Sequence, residues 1–350
     1  MYKIGVLGAG TWGVALARML SNSGNEVTVW SKFDEEVKEL SETRRHKNLK
    51  GMVIPQSVVF TTDIKRACLG KDVVVFAVPS IFVRSTAREI AEIIPDGQVI
   101  VDVAKGIEAE TGYTLTKVIQ SEIKKSKSGK RAKKVKLVAL SGPTHAEEVA
   151  LDMPTAIVSA SKDVKTAELV QDVFMNDCMR VYTNKDVKGV ELCGALKNII
   201  ALASGISAGL GYGDNARSAL ITRGMIEIAR LGREMGCKER TFSGLAGIGD
   251  LIVTATSMHS RNNRAGILIG QGKSVDEALK EVGMVVEGIN ALPAAKKLAE
   301  KYKVETPIID AVDAIVKGEI TPAEAVKSLM RRERKCEHDK YYCKAGMKNE

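Results

Sequence analysis

The stretch Lys3-Ile4-Gly5-Val6-Leu7-Gly8-Ala9-Gly10-Thr11-Trp12-Gly13-Val14-Ala15-Leu16-Ala17 decides how the chain folds. Its apolar run Ile4–Leu7 reads as a strand covered on both faces, and the residues after Gly13 fall at helical spacing. Between the two lies a G-x-G-x-x-G pattern. Three glycines alone are weak evidence. These sit at a strand-to-helix turn, however, and a second strand-like run closes at Trp30, about 20 residues on. The glycines differ in what they permit. Gly8 allows the tight turn, Gly10 lets backbone approach a pyrophosphate, and Gly13 lets helix and strand pack closely. The helix start then offers unpaired N–H groups and the positive end of its dipole to phosphate. The expectation is a dinucleotide-binding unit; glycines that merely make a turn are the competing reading.

Outward from this turn, short Val- and Ile-rich runs recur at Val27–Trp30, Val73–Val78, Val99–Val101, Leu137–Leu140, Ala156–Val158 and Val181–Tyr182. Helical patterns lie between several of them, at Val14–Ser23, Glu35–Glu42, Phe82–Ile94, Leu115–Ile123 and Val164–Phe174. This alternation predicts an α/β fold with a Rossmann-like, doubly wound parallel sheet. From about residue 185 no strand pattern remains. Helices are expected over Gly189–Leu210, Asn215–Met235, Ser274–Val282, Ala291–Tyr302 and Thr306–Lys317. Capping boxes at Ser274–Glu277 and Thr321–Glu324, with Pro322 at a first helical position, mark two of the late starts. The reading is therefore a dinucleotide-binding domain over 1–185, an all-α substrate and catalytic domain over 186–330, and a basic tail over 331–350.

Composition agrees with this size. The 350 residues suggest about two domains, and 45% hydrophobic with 27% charged residues is ordinary globular usage. No run approaches the roughly 18 apolar residues of a membrane span, and the first residues enter a strand at once, unlike a signal peptide. A cytoplasmic protein without stable membrane insertion is expected. Its six scattered cysteines then read as reduced thiols. The tail residues Cys336, His338 and Cys343 hint at metal, but a plain charged terminus is the expected reading, and no metal site is expected. Net charge is +9, with the excess in Lys124–Lys136 and Arg331–Lys348. With aromatics at 4% there is little to stack bases, so a solvated insert and tail are expected, and no nucleic-acid partner.

Several segments are rich in chemistry. The second strand ends Val29-Trp30-Ser31-Lys32-Phe33, where an NAD-specific site usually carries an acid. A hydroxyl and a cation suit a 2′-phosphate, so NADP, or NADP together with NAD, is the expected cofactor; an ordinary exposed Lys32 is the alternative. Val101-Asp102-Val103-Ala104-Lys105-Gly106 and Ser141-Gly142-Pro143-Thr144-His145-Ala146 both follow buried strands, at the sheet edge where ligands bind. On the helix around Lys197, the neighbours Cys193, Gly194, Ile200 and Ala201 are small or apolar. Desolvation there lowers a lysine pKa towards the range of a general base, unless the side chain snorkels to solvent. Asp250 lies in the glycine-rich loop 244–251. Ser257–Arg264 reads as a polar loop with the makings of an anion clamp. The four histidines show no nucleophile–base arrangement.

Together these stretches resemble bacterial NAD(P)-dependent glycerol-3-phosphate dehydrogenase. The resemblance rests on GAGTWGVALA, VDVAKGIE, SGPTHAEEVA, ELCGALKNIIALASGISAGLGYGDNARSALITRG, GLAGIGDLIVTATS, HSRNNRAG and VVEGINAL, in order over about residues 3 to 325. It implies reversible, NAD(P)H-dependent reduction of dihydroxyacetone phosphate to sn-glycerol 3-phosphate, the precursor of glycerophospholipids. It further implies Lys197 as proton acceptor and substrate ligand, with Asn198 beside it. Lys105, Gly142, Thr144, Asp250, Ser260, Arg261 and Asn262 would contact the phosphorylated substrate. Thr11, Trp12, Lys32, Lys105, Ala146, Arg261, Val285 and Glu287 would contact the cofactor, alongside Gly8, Gly10 and Gly13. A homodimer is expected. Asn263 departs from the family pattern, which usually has Arg there. Two other readings stand beside this one: a β-hydroxyacid dehydrogenase of related architecture, which needs no Ser260–Asn262 clamp, and a non-catalytic nucleotide sensor, which needs no desolvated Lys197.

Overall fold

The computed structural model describes residues 1–126, 134–334 and 337. Eight strands form one sheet: β1 (Lys3–Leu7), β2 (Glu26–Trp30), β3 (Val59–Thr61), β4 (Val73–Phe76), β5 (Val99–Asp102), β6 (Lys136–Ser141), β7 (Thr155–Ala160) and β8 (Met179–Asn184). Their order is β3-β2-β1-β4-β5-β6-β7-β8. The chain runs outward from β1 to β3, then returns across the sheet to β4. The order thus reverses between β1 and β4, where a crevice opens at the carboxyl ends of the strands. Ile4, Val6, Val73, Val75 and Val101 pack on one face, while Leu7, Val74, Phe76 and Ile100 pack on the other. Strands buried on both faces lack polar alternation, which is why they read as apolar runs.

Strands β1 to β6 pair in parallel, but β7 runs antiparallel to β6 before β8 pairs parallel to β7. The expected doubly wound sheet is therefore parallel-dominated, with one antiparallel pairing that the apolar runs do not reveal. Parallel pairing needs a crossover that returns the chain to the opposite sheet edge. The segment from Gly142 to Pro154 carries only the one-turn helix Ala146–Val149 and stays at the carboxyl edge, so β7 starts from that edge. Strand β3, three residues long, and the short helix Ile64–Cys68, N-capped by Asp63, are too brief to read from periodicity.

After Asn184 the described chain is helical. Its centre is the helix Val187–Gly209, apolar around nearly its whole circumference and therefore buried. Among the described residues it alone is long and apolar enough to cross a membrane by length and composition, and 89% of its most apolar window lies inside the protein. The glycine-rich and polar loops expected at 244–251 and 257–264 are instead mostly helical: a π turn at Leu245–Gly249, then helices Asp250–Thr256 and Arg261–Gly270. Glycine lowers helix propensity, which hides them in the sequence. Here it permits contact. A Cβ on Gly205 would stand 2.1 Å from the Asn263 carbonyl oxygen, and one on Gly266 2.2 Å from that of Leu202. The Arg261–Gly270 helix thus lies backbone against backbone on the core helix. Both capping boxes form as expected. Residues 127–133 of the basic insert and the tail residues Cys336, His338 and Cys343 fall outside the described residues.

Candidate active site

The helix Thr11–Asn22 begins at Gly10 with no side-chain cap, so its first amides have no local acceptor. Gly8 holds φ +121°, and a Cβ there would press 2.8 Å from the Ala77 carbonyl after β4. A Cβ on Gly13 would lie 2.1 Å from the Gly8 carbonyl oxygen, whereas one on Gly10 would meet nothing within 4 Å. Two glycines therefore bring the helix and two strands together, and the third faces open space. That space is a cavity of about 480 Å³, bordered by Gly10, Thr11 and Trp12 at one end and reaching Lys105, Lys197 and Asp250 at the other.

Lys197 is 4% exposed on the core helix. Its Nζ donates to Asp250 Oδ1 and, at 2.5 Å, to Thr254 Oγ1. The second carboxylate oxygen of Asp250 accepts from Lys105 Nζ at 2.6 Å, and Lys105 also donates to the Gly142 carbonyl at 3.1 Å. Gly194, one turn before Lys197, lets the end of β6 approach: a Cβ there would sit 3.1 Å from Ser141 Oγ. Asp250 opens its helix, and Thr254 follows one turn later on the same face. Two ammonium groups thus share one buried carboxylate. Burial pushes Lys197 down to about 7, with Asp250 opposing the shift and Lys105 adding to it. Burial works against the Asp250 carboxylate, yet the two lysines hold its pKa below the ordinary value. Lys197 has no acid beside it on its own helix; the acid arrives from another.

Ser260, Arg261 and Asn262 line the same cavity, but they differ in what they have left to offer. Ser260 Oγ caps its helix by accepting from Asn263 N–H, which leaves its own proton to donate. Asn262 is built into the frame: Oδ1 accepts from Gly288 N–H at 2.8 Å and Nδ2 donates to Asn198 Oδ1 at 3.0 Å. Arg261 has no hydrogen bond or ion pair among the described residues, so its guanidinium is free for an anion. Asn263, the departure from the family pattern, is buried and donates to the Ala255 carbonyl, away from the cleft. Thr144 lines the cavity with its hydroxyl on the Gly142 carbonyl, and His145 sits behind it with its ring 5.8 Å from that of His259.

Glu287 crosses the cleft and accepts from Ser80 Oγ at 2.8 Å; Val285 and Ala146 also line it. Of the residues expected at the site, Gly8, Gly13, Gly142 and Lys32 do not border the cavity. The glycines act through backbone packing. Lys32 is exposed and turned outward, while Ser31 before it is buried. Sequence reasoning misses Glu36, His46, Lys47 and Asn48, which close the far end, and also Ser80 and Thr254. A strand-end Pro79-Ser80 and a Thr one helical turn after Asp250 are the available signals for the last two.

The family model described as NAD-dependent glycerol-3-phosphate dehydrogenase N-terminus matches residues 3–167, and its C-terminal counterpart matches 186–327. The chain is 67% identical over 340 residues to glycerol-3-phosphate dehydrogenase [NAD(P)+] 2 of Lactobacillus delbrueckii subsp. bulgaricus, covering 97% of this chain and 100% of that one. It is 50% identical to the glycerol-3-phosphate dehydrogenase [NAD(P)+] of Agathobacter rectalis, over 97% and 98% of the two chains. Among solved structures, the glycerol-3-phosphate dehydrogenase of Coxiella burnetii superposes with a TM-score of 0.89 at 35% identity, covering 95% and 99%.

Proposed function

Because the chain belongs to the NAD-dependent glycerol-3-phosphate dehydrogenase family, we propose that its cleft interconverts dihydroxyacetone phosphate and sn-glycerol 3-phosphate with NAD(P)H, Lys197 exchanging the reacting proton. The observation that carries this reading is the pair Lys197 and Lys105 on the single carboxylate of Asp250, inside the cavity that the glycine turn opens. The open space at Gly10 and the uncapped helix start suit a pyrophosphate. Thr11, Trp12, Ala146, Val285, Glu287 and Lys105 would flank the rest of the dinucleotide, with Gly8 and Gly13 shaping the turn. When bound, the nicotinamide supplies or accepts the hydride.

The remaining work falls to the chain. A secondary alcohol that loses hydride from carbon must also lose its hydroxyl proton. Neutral Lys197 takes that proton at Nζ, and in the reducing direction the ammonium returns it to the developing alkoxide oxygen. Two ammonium groups on one carboxylate leave an excess positive charge, so one of them sheds a proton readily; burial makes it Lys197. Asp250 and Thr254 fix the Nζ position, and Lys105 is placed to hold a substrate oxygen. Arg261, with the Ser260 and Thr144 hydroxyls, would take the phosphate. Asn262 acts through Asn198 and Gly288, as a positioning residue. Such an enzyme supplies glycerophospholipid synthesis.

We also propose that 1–185 and 186–330 act as the dinucleotide-binding and substrate units, which the separate matches of the two family models support. The described thiols Cys68, Cys178, Cys193 and Cys237 are free, which suits the reducing cytoplasm. A homodimer completes the proposal, to be checked by light scattering. The activity is tested by following cofactor oxidation with dihydroxyacetone phosphate, using NADH and NADPH in parallel and a carboxylic ketone as control. Turnover of the phosphorylated ketone alone is expected. Turnover of the carboxylic one instead would favour the β-hydroxyacid reading, and turnover of neither, with tight cofactor binding, the sensor.

A further inference from the structure

We infer that Glu36 and Lys47 divide the two forms of the cofactor between them: Glu36 receives the ribose diol of the non-phosphorylated dinucleotide, and Lys47 the 2′-phosphate of the phosphorylated one. The inference rests on the reading that the cleft holds NAD(P)H. Four observations lead to it. First, Glu36, His46, Lys47 and Asn48 border the same cavity as Gly10, Thr11 and Trp12, beyond the carboxyl end of β2. In a doubly wound sheet this is where the adenosine ribose lies when the pyrophosphate rests on the first helix.

Second, Glu36 is held in place. Ser31, buried at the end of β2, donates its hydroxyl proton to Glu36 Oε2 at 2.5 Å and accepts from Phe33 N–H at 3.3 Å. Oε1 has no hydrogen bond among the described residues. A carboxylate accepts hydrogen bonds and cannot give them, so it matches a diol, whose two hydroxyls donate, and repels a phosphate. The acid missing from the strand end is thus supplied from the first turn of the next helix, five residues on, and Ser31 is the bracket that aims it.

Third, the 46–48 segment closes over the same end. Asn48 Nδ2 donates to Thr11 Oγ1 at 3.3 Å, and Asn48 N–H donates to His46 Nδ1 at 3.2 Å. Burial holds the His46 imidazole below its ordinary value; Glu36 and Glu39 oppose that shift, and Lys47 adds to it. The cation this segment presents is therefore Lys47, which is exposed and has no hydrogen bond or ion pair among the described residues. Fourth, Lys32 is exposed and outside the cavity lining, whereas Lys47 borders it, which favours Lys47 as the residue that meets a 2′-phosphate.

The test uses the full chain and two probes that lack the nicotinamide: ADP-ribose and its 2′-phosphate, titrated by calorimetry, with kcat/KM for NADH and NADPH measured beside them. Glu36→Gln should weaken ADP-ribose binding about tenfold and spare or strengthen binding of the 2′-phosphate. Lys47→Ala should do the reverse, by about three- to tenfold, an effect that shrinks as salt is raised. Lys32→Ala should leave the ratio of the two affinities at its wild-type value. A Glu36→Gln variant that keeps the wild-type ratio, or weakens both probes equally, overturns the inference, as does a shift from Lys32→Ala as large as that from Lys47→Ala. Wild-type protein that binds neither probe and turns over neither coenzyme defeats the underlying functional reading instead, and the two failures are distinct.

Discussion

At the cofactor end of the cleft, Gly8, Gly10 and Gly13 lie within one turn of chain, and each acts on its immediate surroundings. Gly8 and Gly13 remove atoms that would strike the Ala77 and Gly8 carbonyls, and Gly10 leaves its side of the turn open. At the proton end, Lys105, Lys197, Asp250 and Thr254 come from a loop after β5, the core helix and a helix further along the chain. None of these four has its chemical meaning alone. Lys197 without Asp250 would be an ammonium buried with no counter-charge, and Asp250 without its lysines would be a buried carboxylate with none. Local backbone geometry builds one end, and assembled charge builds the other. The first tolerates almost no change of shape, while the second tolerates almost no change of charge.

That contrast can be broken most sharply at Lys197. Lys197→Ala should lower kcat by roughly 100-fold or more, the usual scale of acid–base catalysis, while cofactor affinity at the glycine end changes little. Steady-state kinetics with a parallel cofactor titration reads both. A kcat within a few-fold of wild type would make Lys197 a structural lysine and place the proton chemistry elsewhere. The opposite manipulation changes shape and leaves charge alone. Gly266→Ala puts a methyl group against the Leu202 carbonyl, where backbone must move, and should cost about 3 kcal/mol in thermal or urea unfolding. An unchanged melting temperature would mean that the two helices can part without loss. The smallest effect belongs to the bridge between the ends. Glu287→Gln weakens the contact to Ser80 and should raise the cofactor KM about fivefold with kcat near wild type. A fall in kcat with constant KM would instead place Glu287 with the proton chemistry.

The same contrast explains what can be read from sequence. Strands β1, β2 and β4 to β8, the glycine turn and both late capping boxes are local signals, carried by residues that touch their own neighbours in the chain. The switch of β7 to antiparallel is not local; it follows from a connecting segment that stays at the sheet edge and lends Thr144, His145 and Ala146 to the cleft. The helix at Arg261–Gly270 is hidden by glycines whose purpose, contact with the core helix, emerges only in three dimensions, and the turn before Asp250–Thr256 by Gly247, which packs on the Phe242 backbone. Lys197 stands out because its helical neighbours are apolar, but its partner Asp250 lies 53 positions away. At β2 the pattern calls for an acid at the strand end. Ser31 occupies that place, and the acid that it holds comes from the following helix.

The chemistry turns on one carboxylate shared by two lysines, with Lys197 brought down to about 7 from an ordinary 10.5. Alcohol oxidation needs the neutral amine, and ketone reduction needs the ammonium. The direct measurement is kcat against pH in both directions, from about pH 5.5 to 9.5 with saturating substrates. Oxidation should rise with pH and level off above about 7, and reduction should fall through the same region, giving mirrored profiles with a common inflection. Profiles that stay flat across neutrality, and bend only near the ordinary lysine value, would contradict the claim that Lys197 is the group exchanging the proton.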